Sequence, residues 1–126
     1  DGPGRGYNLN LPLPEHADGQ VYRRSLERAL ERVRRFKPRF LVVALGFDTA
    51  RHDPTGSWDL TGRDLAENGR MVGSLQLQTL VVQEGGYYTR TLGTNAAQFF
   101  QGLWSGAYGQ ASGRGPATGG HPHTRE

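Results

Sequence analysis

Cysteine is absent from this sequence, so disulfide bonds and thiolate metal sites are excluded and nothing marks an oxidising compartment. No apolar run approaches the roughly 20 residues that a membrane-spanning helix needs. The first residues, DGPGRGYN, contain no basic leader followed by an apolar core, so they do not read as a signal peptide. These absences predict a soluble, cytoplasmic protein with no membrane partner.

The sequence also carries little net charge. Its 15 basic and 12 acidic residues give a formal charge of +3, which is too mild to indicate a nucleic-acid partner. The arginines are mostly spaced along one predicted helix, where they form either an anion-binding face or an ordinary solvated surface. With 126 residues, the chain is long enough for one small domain.

The first half of the chain reads as a strand, a helix and a second strand. Residues 7–11 alternate apolar and polar side chains, which predicts a short strand that ends at Pro12. Apolar residues at steps of three and four predict a helix over 20–36. The unbroken run FLVVAL at Phe40–Leu45 is typical of a strand buried on both faces of a parallel sheet. Together these segments predict a β-α-β unit.

The second half repeats the pattern. Helices over 61–76 and 92–104 enclose a second apolar strand at 79–82, which we expect to lie adjacent and parallel to the first. Asp18 and the pair of Thr61 with Asp64 are predicted helix caps. Gly69 and Gly73 either weaken the middle helix or permit close packing on the sheet. The fold class is therefore α/β, a parallel sheet with flanking helices.

Residues 105–126 are rich in Gly, Ser, Thr and Pro and lack periodicity, so we predict a disordered tail after a domain that covers 1–104. His121 and His123 in this tail either chelate a metal adventitiously or are inert. An adventitious site would have to order the segment before it could bind.

Polar groups directly follow both buried strands. Asp48 comes after Gly46 at the end of the first, and Tyr87 comes after Gly85 and Gly86 at the end of the second. Ligands in open α/β sheets bind outside the carboxyl ends of the strands, so we expect Asp48 and Tyr87 to face one cavity there. The alternative for Asp48 is a carboxylate that only caps the next turn.

Three segments together resemble the histone deacetylase and acetylpolyamine amidohydrolase family: GYNLNLPLP, FLVVALGFDTARHDPTGSWDLT and TLVVQEGGYYTRTLGTNAAQFF. The resemblance covers about residues 5–104 in the family's order and spacing. It implies an arginase/deacetylase-like fold, a zinc ion, and hydrolysis of an acetyl-lysine or acetylpolyamine amide.

The same resemblance implies roles for five residues. Asp48 matches a metal ligand, and Tyr87 matches the tyrosine that stabilises the oxyanion. Gly85 and Gly86 match the turn that presents this tyrosine, and Thr55 matches a position at the substrate entrance. Tyr88 has no implied role.

The sequence also departs from the family. The family's paired histidines and its Asp-x-His metal motif are missing, so the chain supplies one of the roughly three protein ligands that a catalytic zinc needs. We therefore expect the C-terminal portion of such an enzyme, inactive alone and prone to self-association. The alternative is a non-catalytic α/β interaction module derived from the same family.

Overall fold

The structure, a computed structural model, describes residues 2–109. Its elements in chain order are α1 (Gly19–Phe36), β1 (Phe40–Leu45), α2 (Gly62–Gly73), β2 (Gln78–Gln83) and α3 (Thr89–Tyr108). The two strands pair in parallel, with Phe40 opposite Gln78 and Leu45 opposite Gln83. The predicted α/β class and the parallel pairing of the two apolar strands are thus confirmed.

Side-chain caps fix the starts of the first two helices. The Asp18 carboxylate accepts hydrogen bonds from the backbone N–H groups of Gln20 and Val21, at 3.0 and 2.9 Å. At α2, Asp64 accepts from the Thr61 N–H at 3.0 Å and donates its own N–H to the Thr61 hydroxyl. Both predicted caps are confirmed, because each satisfies backbone donors that a helix start leaves without intrahelical partners.

Helix α3 is longer than its apolar stripe predicted. It runs over Thr89–Tyr108, where the sequence predicted 92–104, and so includes residues 105–108 of the predicted tail. The stripe marks only the part of a helix that faces the core, so it understates a helix whose ends are exposed. Residues 110–126, with His121 and His123, lie outside the described residues.

The predicted strand at 7–11 is wrong. The segment forms no ladder with either strand, so the β-α-β unit predicted from residues 7–11, 20–36 and 40–45 does not form. It packs instead on α1: the Tyr7 ring meets Phe36 edge-on at 6.1 Å, and Leu11 and Leu13 line a cavity with Tyr22. Alternation shows that a segment has one apolar face, and here helix α1 contacts only part of that face, since Tyr7 and Leu9 remain exposed.

Close packing of α2 on α3 explains the glycines of the middle helix. A Cβ atom on Gly69 would overlap the Phe99 carbonyl, and one on Gly102 would overlap the Ala66 carbonyl. The glycines therefore permit close packing, but their packing partner is helix α3 and not the sheet that the sequence predicted. The core beside them is centred on Phe47, Leu60, Leu65 and Phe99.

One face of the sheet is exposed, which corrects the prediction that both faces are buried. Phe40 and Val42 on β1 and Leu80 and Val82 on β2 are more than two-fifths exposed. Alternate residues point to opposite faces of a strand, so these four side chains share the face away from the core. We call them the apolar sheet face. Residues 2–109 cover only the other side.

Candidate functional site

Backbone hydrogen bonds join the ends of the two strands. The Phe47 N–H donates to the Gly85 carbonyl at 2.8 Å, and the Glu84 N–H donates to the Leu45 carbonyl at 2.9 Å. The segment GFD after β1 and the segment EGGY after β2 therefore lie side by side. This is the sheet edge at which the sequence predicted a site.

The Asp48 carboxylate occupies space that two glycines leave free. A Cβ atom on either Gly46 or Gly85 would overlap this carboxylate. Within residues 2–109 no side-chain or backbone donor hydrogen-bonds to it. Asp48 therefore does not cap the next turn, and its oxygens are accessible to a ligand of another kind.

Two cavities lie on either side of Asp48. One has a volume of about 210 Å³ and is lined by Tyr22, Asn68 and the end of β1. The other has a volume of about 420 Å³ and is lined by Thr55 and Trp58. Asp48 thus forms the boundary between an interior space and the surface.

Tyr22 of α1 reaches the interior side of this boundary. Burial raises the pKa of its phenol, and the negative charge of Asp48 raises it further. The phenol therefore stays neutral at physiological pH and keeps its proton as a hydrogen-bond donor.

Tyr87 is presented by a strained glycine turn. Gly86 has φ of +133°, a conformation that side chains rarely adopt, and a Cβ there would press on Phe47 and Leu92. The Tyr87 side chain is 57% exposed and lines neither cavity that Asp48 lines. The structure brings Gly85 against Asp48, whereas Tyr87 is exposed. That Asp48 and Tyr87 face one cavity stays a prediction.

Asp53 anchors the tyrosine turn from the opposite loop. Its side chain is 7% exposed, and it accepts the backbone N–H groups of Tyr87 at 2.6 Å and Tyr88 at 3.1 Å. Burial raises the pKa of this carboxyl, but the hydrogen bonds from Tyr87, Thr55 and Tyr88 outweigh burial and lower the pKa to about 2. Asp53 is therefore a fixed negative charge at neutral pH.

Thr55 belongs both to this anchor and to the outer cavity. Its N–H and its hydroxyl donate to Asp53 Oδ1 at 2.9 and 2.8 Å. Its place beside Asp48 in the 420 Å³ cavity suits the substrate-entrance position that the resemblance implies. The hydrogen bonds to Asp53 fix the geometry of that entrance.

Residues 2–109 hold no group of three or more His, Asp or Glu side chains arranged to bind a metal ion. His52, the nearest histidine in sequence to Asp48, packs its ring 6.0 Å from that of Tyr88. Asp48 fits one ligand position, because it is an unpaired carboxylate beside open space. The described residues do not fit a complete zinc site, which needs about three protein ligands.

The predicted arginine surface lies away from Asp48. Arg23 and Arg70 line a groove of about 750 Å³ between the helices. Arg23 pairs with Asp64 at 2.6 Å, and Arg70 pairs with Glu67. Arg70 belongs to α2 and not to the predicted surface of α1. On α1, Arg23 pairs with Asp64 and Arg35 pairs with Glu31, which favours a solvated surface over an anion site.

Sequence reasoning missed three residues of this site. Asp53 had a local signal, because Asp-Pro-Thr-Gly is a turn sequence in which the Asp side chain binds backbone N–H groups two residues on. Asn68 interrupts the apolar stripe of α2, and its buried Oδ1 has no partner among the described residues. Tyr22 had no signal, because it fits the apolar stripe of α1.

Known proteins are similar to this chain in both sequence and fold. The sequence profile of the histone deacetylase domain matches residues 1–103. An acetylpolyamine amidohydrolase of Burkholderia pseudomallei (strain 1710b) is 42% identical over 102 residues, which are 81% of this chain and 30% of that protein. Histone deacetylase 8 of Arabidopsis thaliana is 35% identical over 91 residues, which are 68% of this chain and 24% of that protein.

The same relationship holds in three dimensions. The crystal structure of acetylpolyamine aminohydrolase from Burkholderia pseudomallei superposes with a TM-score of 0.81 at 40% identity, covering 84% of this chain and 31% of that one. This chain thus spans about 30% of the length of its curated amidohydrolase relative. The domain profile matches residues 1–103, which contain both GFD and EGGY. The chain therefore belongs to the histone deacetylase family.

Proposed function

We propose that this chain carries part of the catalytic site of a zinc-dependent amidohydrolase that deacetylates acetylpolyamine or acetyl-lysine substrates. The supporting observation is the position of Asp48, whose carboxylate has no donor within residues 2–109 and lies against Gly85 of the turn before Tyr87. A metal ligand and an oxyanion donor must meet at one substrate carbonyl, and this edge joins the two segments that carry them.

Asp48 and Tyr87 have different tasks in this proposal. Asp48 supplies one carboxylate to the metal, and the other ligands come from residues that this chain lacks. The Tyr87 phenol donates a hydrogen bond to the oxyanion that develops when the amide carbonyl is attacked. Its present exposure leaves the phenol accessible to a substrate that covers it.

The proposed substrate path follows from Thr55. Gly85 and Gly86 have no side chains, which lets Asp48 lie against Gly85 and lets Phe47 and Leu92 pack against Gly86 beside this path. Thr55 lines the outer cavity of about 420 Å³, on the route from the surface to Asp48. We assign the entrance of the acyl-amine chain to this side.

Deacetylation assays test the proposal. Hydrolysis of an acetylated diamine and of an acetyl-lysine peptide is followed by mass spectrometry, with zinc added, for the chain alone and for the complete natural polypeptide that carries it. We expect turnover by the complete polypeptide and none by the chain alone. Turnover by the chain alone would contradict the proposal that its site is only partial. A complete polypeptide that binds zinc but shows no turnover would contradict the proposed amidohydrolase activity.

A non-catalytic interaction module is the second candidate. It is favoured by the apolar sheet face, since contiguous exposed apolar surface marks contact sites. An inactive complete polypeptide that retains this exposed face would support it.

Zinc affinity tests the role of Asp48 separately from turnover. In the complete polypeptide, Asp48→Asn removes the ligand's charge and nearly keeps its shape, so zinc affinity should fall by more than the roughly 10-fold that losing a supporting group costs. Asp59→Asn is the matched control, because Asp59 lies in the same loop and pairs with His16 and Arg51. Isothermal titration showing equal affinity for both variants would exclude Asp48 as a ligand.

A further inference from the structure

The Asp53 carboxylate uses both oxygens to join two loops. Oδ1 accepts the N–H and the hydroxyl of Thr55, at 2.9 and 2.8 Å. Oδ2 accepts the N–H groups of Tyr87 and Tyr88, at 2.6 and 3.1 Å. These two tyrosines lie more than 30 residues after Asp53 in the sequence. One buried side chain therefore fixes the entrance loop against the tyrosine turn.

Within residues 2–109, Asp53 is the side chain that hydrogen-bonds the tyrosine turn. Tyr87 follows two glycines, which allow many backbone conformations, and the residue is 57% exposed. Helix α3 begins directly afterwards, and its cap residue Tyr88 makes no side-chain cap hydrogen bond. Asp53 accepts the N–H of this cap residue from a distant loop, and its negative charge suits the amino end of a helix.

The anchor requires a carboxylate. All four contacts to Asp53 come from donors, and only an ionised carboxyl offers acceptor oxygens on both sides. An asparagine would place its NH₂ group against either the Thr55 donors or the Tyr87 and Tyr88 donors. One pair would keep its acceptor, whereas an alanine would remove the acceptor of all four donors and release the tyrosine turn.

We infer that Asp53 is the residue that positions Tyr87 for catalysis, and that it does so by holding the Tyr87 and Tyr88 amides to the Thr55 loop. The inference rests on the proposed function, because it gives the Tyr87 phenol a catalytic task. Asp53 itself acts through the backbone and has no contact with the reacting atoms in this scheme.

A double-mutant cycle in the complete natural polypeptide tests this. Asp53→Ala should lower kcat roughly 10- to 100-fold, since a misplacement of about 1 Å has that cost. KM should change by less than about 3-fold, because the lost interaction belongs to the transition state. In a Tyr87→Phe background the same substitution should lower kcat by less than about 3-fold, since the phenol that it positions is gone.

The cycle separates positioning from folding. A merely structural role would lower kcat by the same factor in both backgrounds, and that result would overturn the inference. Asp59→Ala is the control, because it removes a partly exposed carboxylate of the same loop, which pairs with His16 and Arg51. It should leave kcat unchanged in both backgrounds.

A second measurement does not depend on activity. Amide hydrogen exchange of Tyr87 and Tyr88 is measured by NMR in the full chain and in its Asp53→Ala and Asp59→Ala variants. Protection of both amides should fall at least about 10-fold in Asp53→Ala relative to Asp59→Ala, because the acceptor that protects them is lost. Equal protection in the two variants would overturn the inference whatever the enzyme does.

The two measurements distinguish the possible failures. If Tyr87→Phe leaves kcat unchanged, the proposed function of Tyr87 fails, and with it the catalytic part of the inference. Loss of amide protection in Asp53→Ala would then show that Asp53 holds the turn without a catalytic effect. If Tyr87→Phe lowers kcat and Asp53→Ala does not, the proposed function stands and the positioning role is wrong.

Discussion

Two aspartates of one loop have opposite environments. The Asp48 carboxylate has no hydrogen-bond donor within residues 2–109, whereas Asp53 accepts four hydrogen bonds. A buried carboxylate with four donors is satisfied and has little capacity left for a metal ion. The unpaired carboxylate is the one that suits a ligand, and it is also the one directly after the strand.

Acid unfolding should report the Asp53 anchor. The pKa of Asp53 lies at about 2 in the folded chain, below its ordinary 3.8, so the ionised form stabilises the fold. This contribution is complete above pH 3.8 and is lost as the pH falls through about 2. Asp53→Asn should therefore destabilise the chain by about 1–3 kcal/mol at neutral pH, with a smaller difference at pH 2.

Urea unfolding at several pH values measures this difference. The difference in free energy of unfolding between the chain and its Asp53→Asn variant should become smaller as the pH falls from 3.8 to 2. A gap that is constant over this range would show that Asp53 is not held ionised by its donors.

The sequence predicted the position of the site better than its contacts. Strand ends placed Asp48 and Gly85 at one sheet edge, because parallel strands share their carboxyl edge. The bonds from Tyr87 to Asp53 were not predictable in the same way, since they join residues that are distant in sequence and fixed only by the packed fold. The Tyr87 ring direction also depends on that packing.

Among the elements, those with local signals were predicted best. β1 has the bounds that its apolar run predicted, and the caps of α1 and α2 follow from Asp18 and Thr61. The segment 7–11 was assigned wrongly, because alternation indicates one buried face without saying whether a strand or a helix covers it. Its prolines and its packing on α1 leave it outside the sheet.

The contact between α2 and α3 predicts opposite effects for two glycines of one helix. Gly102→Ala should destabilise the chain by about 1–3 kcal/mol, because its Cβ would overlap the Ala66 carbonyl and separate the helices. Gly93→Ala should stabilise it by up to about 1 kcal/mol, since open space surrounds Gly93 and alanine favours a helix.

Thermal unfolding of the two variants checks this contact. Gly102→Ala should melt below the unchanged chain, and Gly93→Ala at or above it. Equal melting temperatures for the two variants would contradict the close approach of α2 and α3.

For the whole molecule, the apolar sheet face is the main departure from the sequence prediction. Parallel sheets are normally covered on both faces, and the strand sequences are apolar on both. Residues 2–109 nevertheless cover one face, and the chain spans about 30% of the length of its amidohydrolase relative. Apolar strand residues predict that a face becomes covered, but they do not say by which polypeptide.

The exposed face predicts self-association of the chain alone. Val42 and Leu80 are opposite one another at its centre, and exposed apolar strands recruit other chains. Sedimentation velocity should show mass increasing with concentration, and Val42→Lys should reduce that increase. Ser57→Lys adds the same charge in the exposed loop and should leave the increase of mass with concentration unchanged. Monomers at every concentration tested would contradict this prediction.

The catalytic role of Tyr87 is most directly tested by comparing two adjacent tyrosines in the complete natural polypeptide. Tyr87→Phe removes the proposed oxyanion donor, so kcat should fall by roughly 100-fold or more while zinc affinity is retained. Tyr88→Phe removes a phenol from the same turn and should change kcat by less than about 3-fold. Equal values of kcat for the two variants would contradict the proposal that EGGY presents a catalytic tyrosine.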